Sequence, residues 1–599
     1  MSRFRKILAC MLVFSMLMMC ACQKTSDHRS GIKKNPEASK PENRGSIQTL
    51  PTDPTDFPTP TVEPDDGIVD MTMFVTLPLS EKDPGNDIKE LIAQKTGIRV
   101  NEAGLNGMYS DEAISAIMAS GDLPEFIYTD SGMNDLYQGG YLIAWDDYLE
   151  EFPNIRELYT DKEWDRFRMD DGHIYWIDVF DRFYQKDTTT THIGQAFWIQ
   201  VRVLEWAGYP EIKTLDEYFD LIESFAEANP ELPDGTPVVP YTCLCDSWRY
   251  YSIENAPMYL AGYPNDGCVI VSIDEGIENP KVIDYNTTGI AKEYFRKLNE
   301  EYEKGMIDPD FAVQTYDDYI YKLSTGCVLG MCDQYWNFAY TISSPFSVLN
   351  YGNDGSVYTL SEIGCDYVPL GISYDGSGQQ WHTYGSDINS TSGFAVTTGC
   401  YDPYLAFSYL NSILEQDIHD LRFWGIEGED YLVDYQGLFY RTEEMRFNWA
   451  SDGYKAEHTC EYSYMPQWRG ISRDGKNCMK PADQPSEFKQ GLSKPLVKCF
   501  DAYGVNNYVE MIGSENTEHT PWYPLWTWSN NLSSATPGGL AWNRMGECKH
   551  EWLPKLVLSD DFEETWDEYM EAYEECEPQI FLDEAQAEVD ARVEAWRNT

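Results

Sequence analysis

From residue 71 to residue 130 the chain alternates between strand-like and helix-like stretches, and this order constrains the fold more than any other feature. The strand-like stretches are β-branched and aromatic, whereas the helix-like ones carry capping residues and an apolar stripe. The predicted elements are a strand at 71–76, a helix at 86–97, a strand at 98–100, a helix at 110–121 and a strand at 125–130. A β-α-β-α-β order predicts a largely parallel sheet with helices on both faces. The predicted fold class is therefore α/β.

A parallel sheet also predicts where a ligand binds, because open α/β sheets hold ligands outside the carboxyl ends of their strands. Here those ends are residues 76–78 and 128–131. Tyr128 and Asp130 end the third predicted strand, and they are the first two candidate ligand-binding residues.

Further helices are predicted along the rest of the chain. Thr214 and Glu217 have the spacing of a capping box at the start of a strong amphipathic stretch over 213–230. Other predicted helices are 284–307, 402–416, 561–576 and 583–597. More than 500 residues follow the N-terminal region, which is too long for one ordinary core and predicts two or three domains.

The first 22 residues have the three parts of a secretory signal. Arg3, Arg5 and Lys6 form a positive start, and the apolar run 7–19 is too short to span a bilayer. A cut before Cys22 leaves the small side chain of Ala21 at the cleavage site, as in a bacterial lipobox. We therefore expect Cys22 to be lipid-modified and to anchor the mature chain at the outer face of the cell membrane. The alternative is a plain signal peptide with incidental cysteines.

Residues 23–66 are rich in Ser, Thr, Pro and charged residues, and they cannot bury enough apolar surface to fold. Repeated prolines make such a segment an extended spacer. The whole chain carries a formal net charge of −56, which argues against nucleic acid, whose binding depends on Lys and Arg.

Twelve cysteines follow Cys22, and none of them forms a C-x-x-C pair. Cys243 and Cys245 are the closest pair. A large core needs no disulfides, so most of these cysteines are expected to be buried thiols, with room for one or two bridges.

Six stretches of the body follow one another in an order that is typical of a known family. They are IMASGDLPEFIYTD (117–130), LYQGGYLIAWDDYLEEFPNI (136–155), DGHIYWI (171–177), FWIQVRVLEWAGYPEIKTLDEYFDLIESF (197–225), TGCVLGMCDQYWNF (325–338) and FWGIEGEDYLVDYQGLFYRTEE (423–444). Together they resemble the extracellular solute-binding proteins (family 1) of carbohydrate ABC importers. The last stretch is the most specific, since it resembles the GIEG..Y signature of the Gram-positive lipoprotein branch.

The resemblance implies a periplasmic-binding-protein-like fold of two α/β lobes with a hinge and a ligand cleft between them. It places lobe one at 67–192 plus 385–450 and lobe two at 193–384 plus 451–599, with crossings near 188–195 and 385–393. It also implies a carbohydrate ligand, a monomer, delivery to the transmembrane permease subunits of an ABC transporter, and no catalysis.

Aromatic residues make up 14% of the chain, and a sugar site needs both an apolar platform and a few placed polar groups. Trp336 aligns with the tryptophan that stacks on sugar in the family that the chain resembles. The alternative for each tryptophan is a place in the core. The other candidates, from stretches that mix both residue types, are Asp246, Trp248, Arg249, Asp333, Gln334, Trp381 and Trp526.

Metal and enzyme signals are weak. Many members of the family carry a calcium loop where this chain reads NPELPDGTPVVP (229–240), which keeps only Asp234 as a ligand. We therefore predict no cofactor, and calcium at this loop only if other ligands complete it. The acidic loop 425–431 is interpreted as structural, and HEWLP (550–554) lacks the second histidine of a zincin motif. A glycoside hydrolase, which needs only two carboxylates, and a surface glycan sensor or adhesin are the alternative functions.

Overall fold

The structure is a computed structural model, and it describes residues 67–598 apart from short gaps. The gaps are 78, 81, 106–109, 181, 264–269, 273–275, 277–278, 378–381, 384–387, 391, 514–515, 518–519, 524 and 530–531. The predicted signal, Cys22 and the spacer therefore lie outside the described residues. Trp381 lies outside them as well, and so does the side chain of Trp248.

Nine strands form the two main sheets. They are β1 (Val69–Val75), β2 (Ile98–Gly104), β3 (Phe126–Thr129), β4 (Trp176–Ile177), β5 (Gln195–Gln200), β6 (Val239–Thr242), β7 (Val328–Gln334), β8 (Tyr367–Leu370) and β9 (Gly393–Val396). The first sheet has the order β2-β1-β3-β9-β4, and the second has the order β8-β5-β7-β6.

The α-helices, in chain order, are α1 (Asp87–Thr96), α2 (Ser110–Ser120), α3 (Met133–Gln138), α4 (Asp146–Leu149), α5 (Pro153–Arg156), α6 (Asp161–Arg166), α7 (Val201–Trp206), α8 (Leu215–Ala228), α9 (Tyr251–Glu254), α10 (Ala256–Leu260), α11 (Gly289–Glu303), α12 (Tyr316–Ser324), α13 (Tyr335–Phe346), α14 (Pro403–Ser412), α15 (Gln416–Phe423), α16 (Glu443–Ala450), α17 (Asp452–His458), α18 (Pro485–Gln490), α19 (Lys494–Tyr503), α20 (Tyr508–Ile512), α21 (Trp526–Ser529), α22 (Pro537–Val557), α23 (Phe562–Glu574) and α24 (Pro578–Asn598). Short ladders pair Phe183–Tyr184 with Arg469–Gly470, Ile270–Ser272 with Lys281–Ile283, Asn350–Tyr351 with Val357–Tyr358, His382–Thr383 with Asn516–Thr517, and Leu432–Val433 with Phe439–Tyr440.

The first sheet confirms the predicted α/β class. Strands β2, β1 and β3 are parallel, whereas β9 runs antiparallel to both β3 and β4. The side chains of β1 alternate between two cores: Met73 packs with helix α1 on one face, and Phe74 packs with helix α2 on the other. The sheet is therefore covered on both faces. Asn86 caps α1, and Gly97 ends it in the left-handed region at φ 75°.

The second sheet organises a separate and larger core. Strand β5 runs antiparallel to β7 and β8, and β6 is parallel to β7. The predicted capping box of Thr214 and Glu217 begins helix α8, whose Tyr218 donates to the main-chain oxygen of Trp198 at 2.7 Å. Both of these aromatic side chains are fully buried in this core.

Three crossings connect the lobes, which we define by the two cores. The buried residues belong to the first core up to Val179 and again from Ile388 to Met479, and the chain crosses to or from the second core at these points. The division predicted from the sequence is wrong for 451–480. Cys460, Tyr462, Met465, Trp468 and Met479 in that span pack in the core of lobe one, not lobe two.

The crossing segments are hydrogen-bonded to one another. The Asp178 carboxylate accepts from the main-chain N–H of Asn389 at 3.1 Å, which joins the first and second crossings. The Thr190 hydroxyl donates to the main-chain oxygen of Ala482 at 3.0 Å, which joins the first and third. The three crossing segments are thus hydrogen-bonded to one another.

The C-terminal helices pack in the core of lobe two. Helices α23 and α24 lie where the sequence predicts helices, whereas α22 was not predicted. The fully buried ammonium of Lys549 on α22 lies 2.7 Å from the Asp284 carboxylate and 3.1 Å from that of Glu254.

No helix in the described part of the chain is long and apolar enough to cross a bilayer.

Of the twelve cysteines after Cys22, Cys268 lies in a gap and the other eleven are free thiols. Ten of these are buried, and Cys245 is partly exposed. The bridges for which the sequence left room are not formed among the described residues.

Candidate functional site

Both main sheets present strand ends beside the crossings. In lobe one, Thr129 at the end of β3 pairs with Gly393, where the chain has just returned from the second crossing. In lobe two, Gln334 at the end of β7 pairs with Gln195, where the chain arrives from the first crossing. These two edges therefore border the cleft between the lobes.

The lobe-one edge offers an exposed carboxylate in a fixed position. Asp130 follows β3 and is exposed. Its Oδ1 accepts from the hydroxyl of Thr76 at 2.8 Å, and its own main-chain N–H donates back to that hydroxyl at 3.1 Å. Thr76 follows the parallel strand β1, so two neighbouring strand ends hold one acceptor at the cleft. This placement is the one that the strand order predicts.

Three aromatic side chains form a cluster around Tyr128, two residues before Asp130. The ring centroid of Tyr128 lies 4.8 Å from that of Tyr464 and 5.8 Å from that of Phe180. Tyr128 is almost fully buried, whereas Phe180 is 38% exposed. Burial, with the nearby carboxylates of Asp178 and Asp130, raises the pKa of Tyr128, so its hydroxyl keeps its proton. Tyr128 is therefore too buried to offer a ring face to a ligand, and instead it supports the exposed ring of Phe180.

Asp333, at the lobe-two edge, serves a different role from the predicted one. Its side chain is fully buried. It accepts hydrogen bonds from the Tyr319 hydroxyl at 2.7 Å, the Asn337 amide at 2.9 Å and the main-chain N–H of Gln334 at 2.7 Å. Burial raises the pKa of Asp333 to about 6. The carboxylate therefore positions Gln334 and Asn337, and direct contact with a ligand is ruled out by its burial.

Trp336 follows this strand end and has a partly exposed indole. It is 42% exposed, and its indole N–H donates to the side-chain oxygen of Gln334. The ring of Tyr251 lies 5.6 Å away, centroid to centroid, at an interplanar angle of 42°. The indole is thus held by Gln334 and Tyr251 while part of the side chain remains exposed to solvent.

Arg249 and Asp246 both contact Tyr316, the first residue of helix α12. The Arg249 guanidinium lies 3.7 Å from the ring centroid of Tyr316, and its Nε donates to the side-chain oxygen of Asn337 at 3.1 Å. The Asp246 carboxylate accepts from the main-chain N–H of Tyr316 at 2.9 Å and so tethers the start of helix α12. Asp246 is thus part of the support of the site.

Trp526 belongs to a segment of lobe two that contacts lobe one. It is half-buried and begins helix α21. Three residues earlier, the main-chain oxygen of Tyr523 accepts from the guanidinium of Arg166 in lobe one at 3.2 Å. The neighbouring Trp522 is almost fully buried in the core of lobe two. The segment places Trp526 beside the border of the lobes, while Trp522 is a core residue.

The two acidic loops have structural contacts. The Asp430 carboxylate accepts from the main-chain N–H of Ile426 at 2.7 Å and pairs with His458 at 2.9 Å. The Asp234 carboxylate accepts from the main-chain N–H of Thr236 at 3.0 Å, which closes a turn. Among the described residues, no group of three or more His, Cys, Asp or Glu side chains is arranged to hold a metal ion.

The sequence did not predict several residues of the cleft. Tyr464 and Phe180 belong to no motif, and they meet Tyr128 only through the tertiary packing of lobe one. Tyr251 lies in the stretch DSWRYY (246–251), which supplied three candidates, so aromatic density indicated the right stretch but not this residue.

No protein-family model matches the chain. The chain is 23% identical over 261 residues to the fructooligosaccharide ABC transporter substrate-binding protein FusA of Streptococcus pneumoniae. That match covers 42% of this chain and 47% of FusA, so it spans about half the length of this curated relative.

Solved structures match over nearly the whole described body. FusA in complex with kestose has a TM-score of 0.57 at 16% identity, and the match covers 88% of this chain and 99% of that one. A solute-binding protein of Bifidobacterium longum infantis that binds human milk oligosaccharides has a TM-score of 0.58 at 14% identity, with the same coverage. The alginate-binding protein AlgQ2 has a TM-score of 0.55 at 14% identity, again over 88% and 99%. The chain has the two-lobed α/β fold of these binding proteins.

Proposed function

We propose that this chain is the substrate-binding protein of an ABC importer and that it captures an oligosaccharide in the cleft between its lobes. The observation that carries the proposal is the exposed indole of Trp336, held by Gln334 and Tyr251 at the strand end that borders the cleft. Sugar rings stack on such faces through their apolar C–H surfaces, and a few polar groups fix their orientation.

The opposite edge supplies the polar complement. The Asp130 carboxylate is exposed and held by Thr76, so it can accept hydrogen bonds from sugar hydroxyls. Phe180 adds a second exposed ring, supported by Tyr128 and Tyr464. Closing of the two lobes around a ligand is a hinge motion, and here the hinge is the set of three hydrogen-bonded crossings.

The similarity to FusA supports the same assignment, because FusA is a binding protein of a fructooligosaccharide transporter.

We further propose that Cys22 is the lipid-modified first residue of the mature chain and that residues 23–66 form the spacer. We also propose that the closed form docks as a monomer on the transmembrane permease subunits. In this proposal the protein performs no covalent chemistry.

Isothermal titration calorimetry against a panel of malto-, xylo-, manno- and fructo-oligosaccharides, from disaccharide to hexasaccharide, tests the proposal. Saturable one-site binding of at least one series is expected, with the sugar recovered unchanged. Release of reducing ends from any member of the panel would instead indicate a glycoside hydrolase and would overturn the binding-protein assignment.

A further inference from the structure

Helix α13 carries a second exposed aromatic side chain beyond the cleft border. Trp336 and Tyr340 are four residues apart, and side chains at this spacing lie on the same helix face with about 5–6 Å between their Cβ atoms. Tyr340 is 66% exposed. The two rings therefore form one strip that starts at the border of the cleft and runs outward along α13.

Tyr340 is exposed but not loose. Its hydroxyl lies 2.8 Å from the hydroxyl of Tyr316, which also donates to the main-chain oxygen of Asn337 at 2.6 Å. The Arg249 guanidinium covers the Tyr316 ring at 3.7 Å and bonds to the Asn337 side chain. Two helices and the turn before α9 thus fix the Tyr340 hydroxyl, so the ring is preorganised for stacking.

We propose that this strip, made of Trp336, Tyr340 and Tyr316, binds the distal units of the same oligosaccharide whose end occupies the cleft. Single exposed aromatic residues are ordinary on a protein surface, whereas a continuous apolar strip marks a binding site. This strip is continuous with the proposed sugar site through Trp336, and the inference rests on the proposed function.

Charge selects the class of sugar. Asp317 and Asp318 are exposed at the start of α12 beside Tyr316, and Asp246 is bound to the same turn. Arg249, a cation that contacts the strip, is stacked on Tyr316 and bonded to Asn337. Carboxylates placed here repel an anionic chain. The strip therefore favours a neutral oligosaccharide that is long enough to extend out of the cleft.

The test compares short and long members of whichever series in the panel binds the unaltered protein. Tyr340→Ala is expected to weaken binding of the hexasaccharide by about 5-fold or more, at the lower end of the scale for aromatic stacking, and to leave binding of the disaccharide unchanged. Tyr340→Phe keeps the ring and is expected to retain most of the affinity for the hexasaccharide. Tyr351→Ala is the matched control, because Tyr351 is 69% exposed on a hairpin of the same lobe.

The outcomes separate the two proposals. If some series binds but Tyr340→Ala changes neither length, or weakens both equally, the strip is not a distal subsite, and the proposed function stands. If no series binds the unaltered protein, the proposed function fails, and the strip assignment falls with it.

Discussion

The ring of Tyr464 lies 4.8 Å from that of Tyr128, centroid to centroid, at an angle of 44°. The two residues are far apart in the sequence, and Tyr464 reaches the strand end because residues 460–468 pack in the core of lobe one. Tyr464 also lies 5.9 Å from Phe180 in an edge arrangement. It therefore completes the support of the exposed ring on the lobe-one side of the cleft.

Tyr464→Ala is expected to weaken binding of the best sugar in the panel, because Phe180 loses the ring that holds its orientation. The expected loss is about 1 kcal/mol, comparable to an aromatic pair beyond its area burial, measured by calorimetry. Tyr435→Ala is the control, since Tyr435 is 94% exposed on a hairpin of the same lobe. Equal affinity for Tyr464→Ala and the control would remove Tyr464 from the site.

Trp336→Ala is expected to weaken binding by roughly 1–3 kcal/mol, the scale measured for stacking of an aromatic ring on a base. The fold should persist, because the indole is 42% exposed and lies at the surface. Trp596→Ala is the matched control, with 45% exposure on the C-terminal helix. Calorimetry gives the affinities and thermal unfolding checks the fold; unchanged affinity with an intact fold contradicts the assignment of Trp336.

The parts of the fold that were predicted correctly are those set by neighbouring residues. Asn86, Gly97 and Thr214 cap the helices that their local patterns predicted, because a cap bonds to the main chain within a few residues. The local patterns did not predict the strands of the second sheet, since β5 pairs with β7 across more than a hundred residues. The position of Asp130 was predictable, because the carboxyl ends of parallel strands lie at the same edge of the sheet and Asp130 follows such a strand.

The prediction for Asp333 was wrong in role because burial cannot be read from residue type. A carboxylate beside Gln334 and Trp336 looks like a ligand contact, yet every residue of β7 is buried. The assignment of 451–480 to lobe two was wrong for a similar reason. Only the packing of residues such as Trp468 against the first core shows on which side the chain lies.

Arg422 is predicted to hold the segment that carries Tyr464. Its guanidinium is fully buried and donates to the main-chain oxygens of Ile413, Glu461, Tyr462 and Pro466 at 2.8–3.2 Å. Burial lowers the pKa of Arg422 to about 10, so it remains charged at neutral pH.

Arg422→Met is therefore expected to lower the free energy of unfolding by roughly 3 kcal/mol or more, because each buried acceptor left unpaired costs about 1–3 kcal/mol. Urea denaturation measures the change. Arg296→Met is the control, since Arg296 makes partly exposed ion pairs with Glu293 and Glu563, and such pairs contribute at most about 1 kcal/mol. Losses of equal size in the two variants would contradict the anchoring role of Arg422.

The proposed anchor makes a prediction that is independent of the cleft. Cys22→Ala is expected to move the protein from the membrane fraction to the medium, because the lipid can no longer be attached, while sugar affinity stays unchanged. Cys20→Ala is the control, since Cys20 is expected to leave with the signal. Retention of Cys22→Ala on the membrane would show that another segment anchors the chain.

His458 is predicted to make the stability of lobe one depend on pH. Its Nδ1 lies 3.0 Å from the Asp87 carboxylate at the start of α1, and its Nε2 lies 2.9 Å from the buried Asp430 carboxylate. The ring of Tyr454, on the same helix, lies 4.7 Å away, and its hydroxyl bonds to Asp430. Burial lowers the pKa of His458, but the bonds to Asp87 and Asp430 outweigh burial and raise it above the usual 6.5.

A raised histidine pKa in the folded state means that folding favours the charged form. The stabilisation is fully present below about pH 6.5, the unfolded value, and it is lost as the pH rises through the folded value. His458→Gln is therefore expected to lower the free energy of unfolding more at pH 5.5 than at pH 9, because only the protonated imidazole gains from the two carboxylates. Urea denaturation at the two pH values measures this difference, with His173→Gln as the control because His173 is about half exposed. A loss that is the same at both pH values would mean that His458 acts through packing and not through its charge.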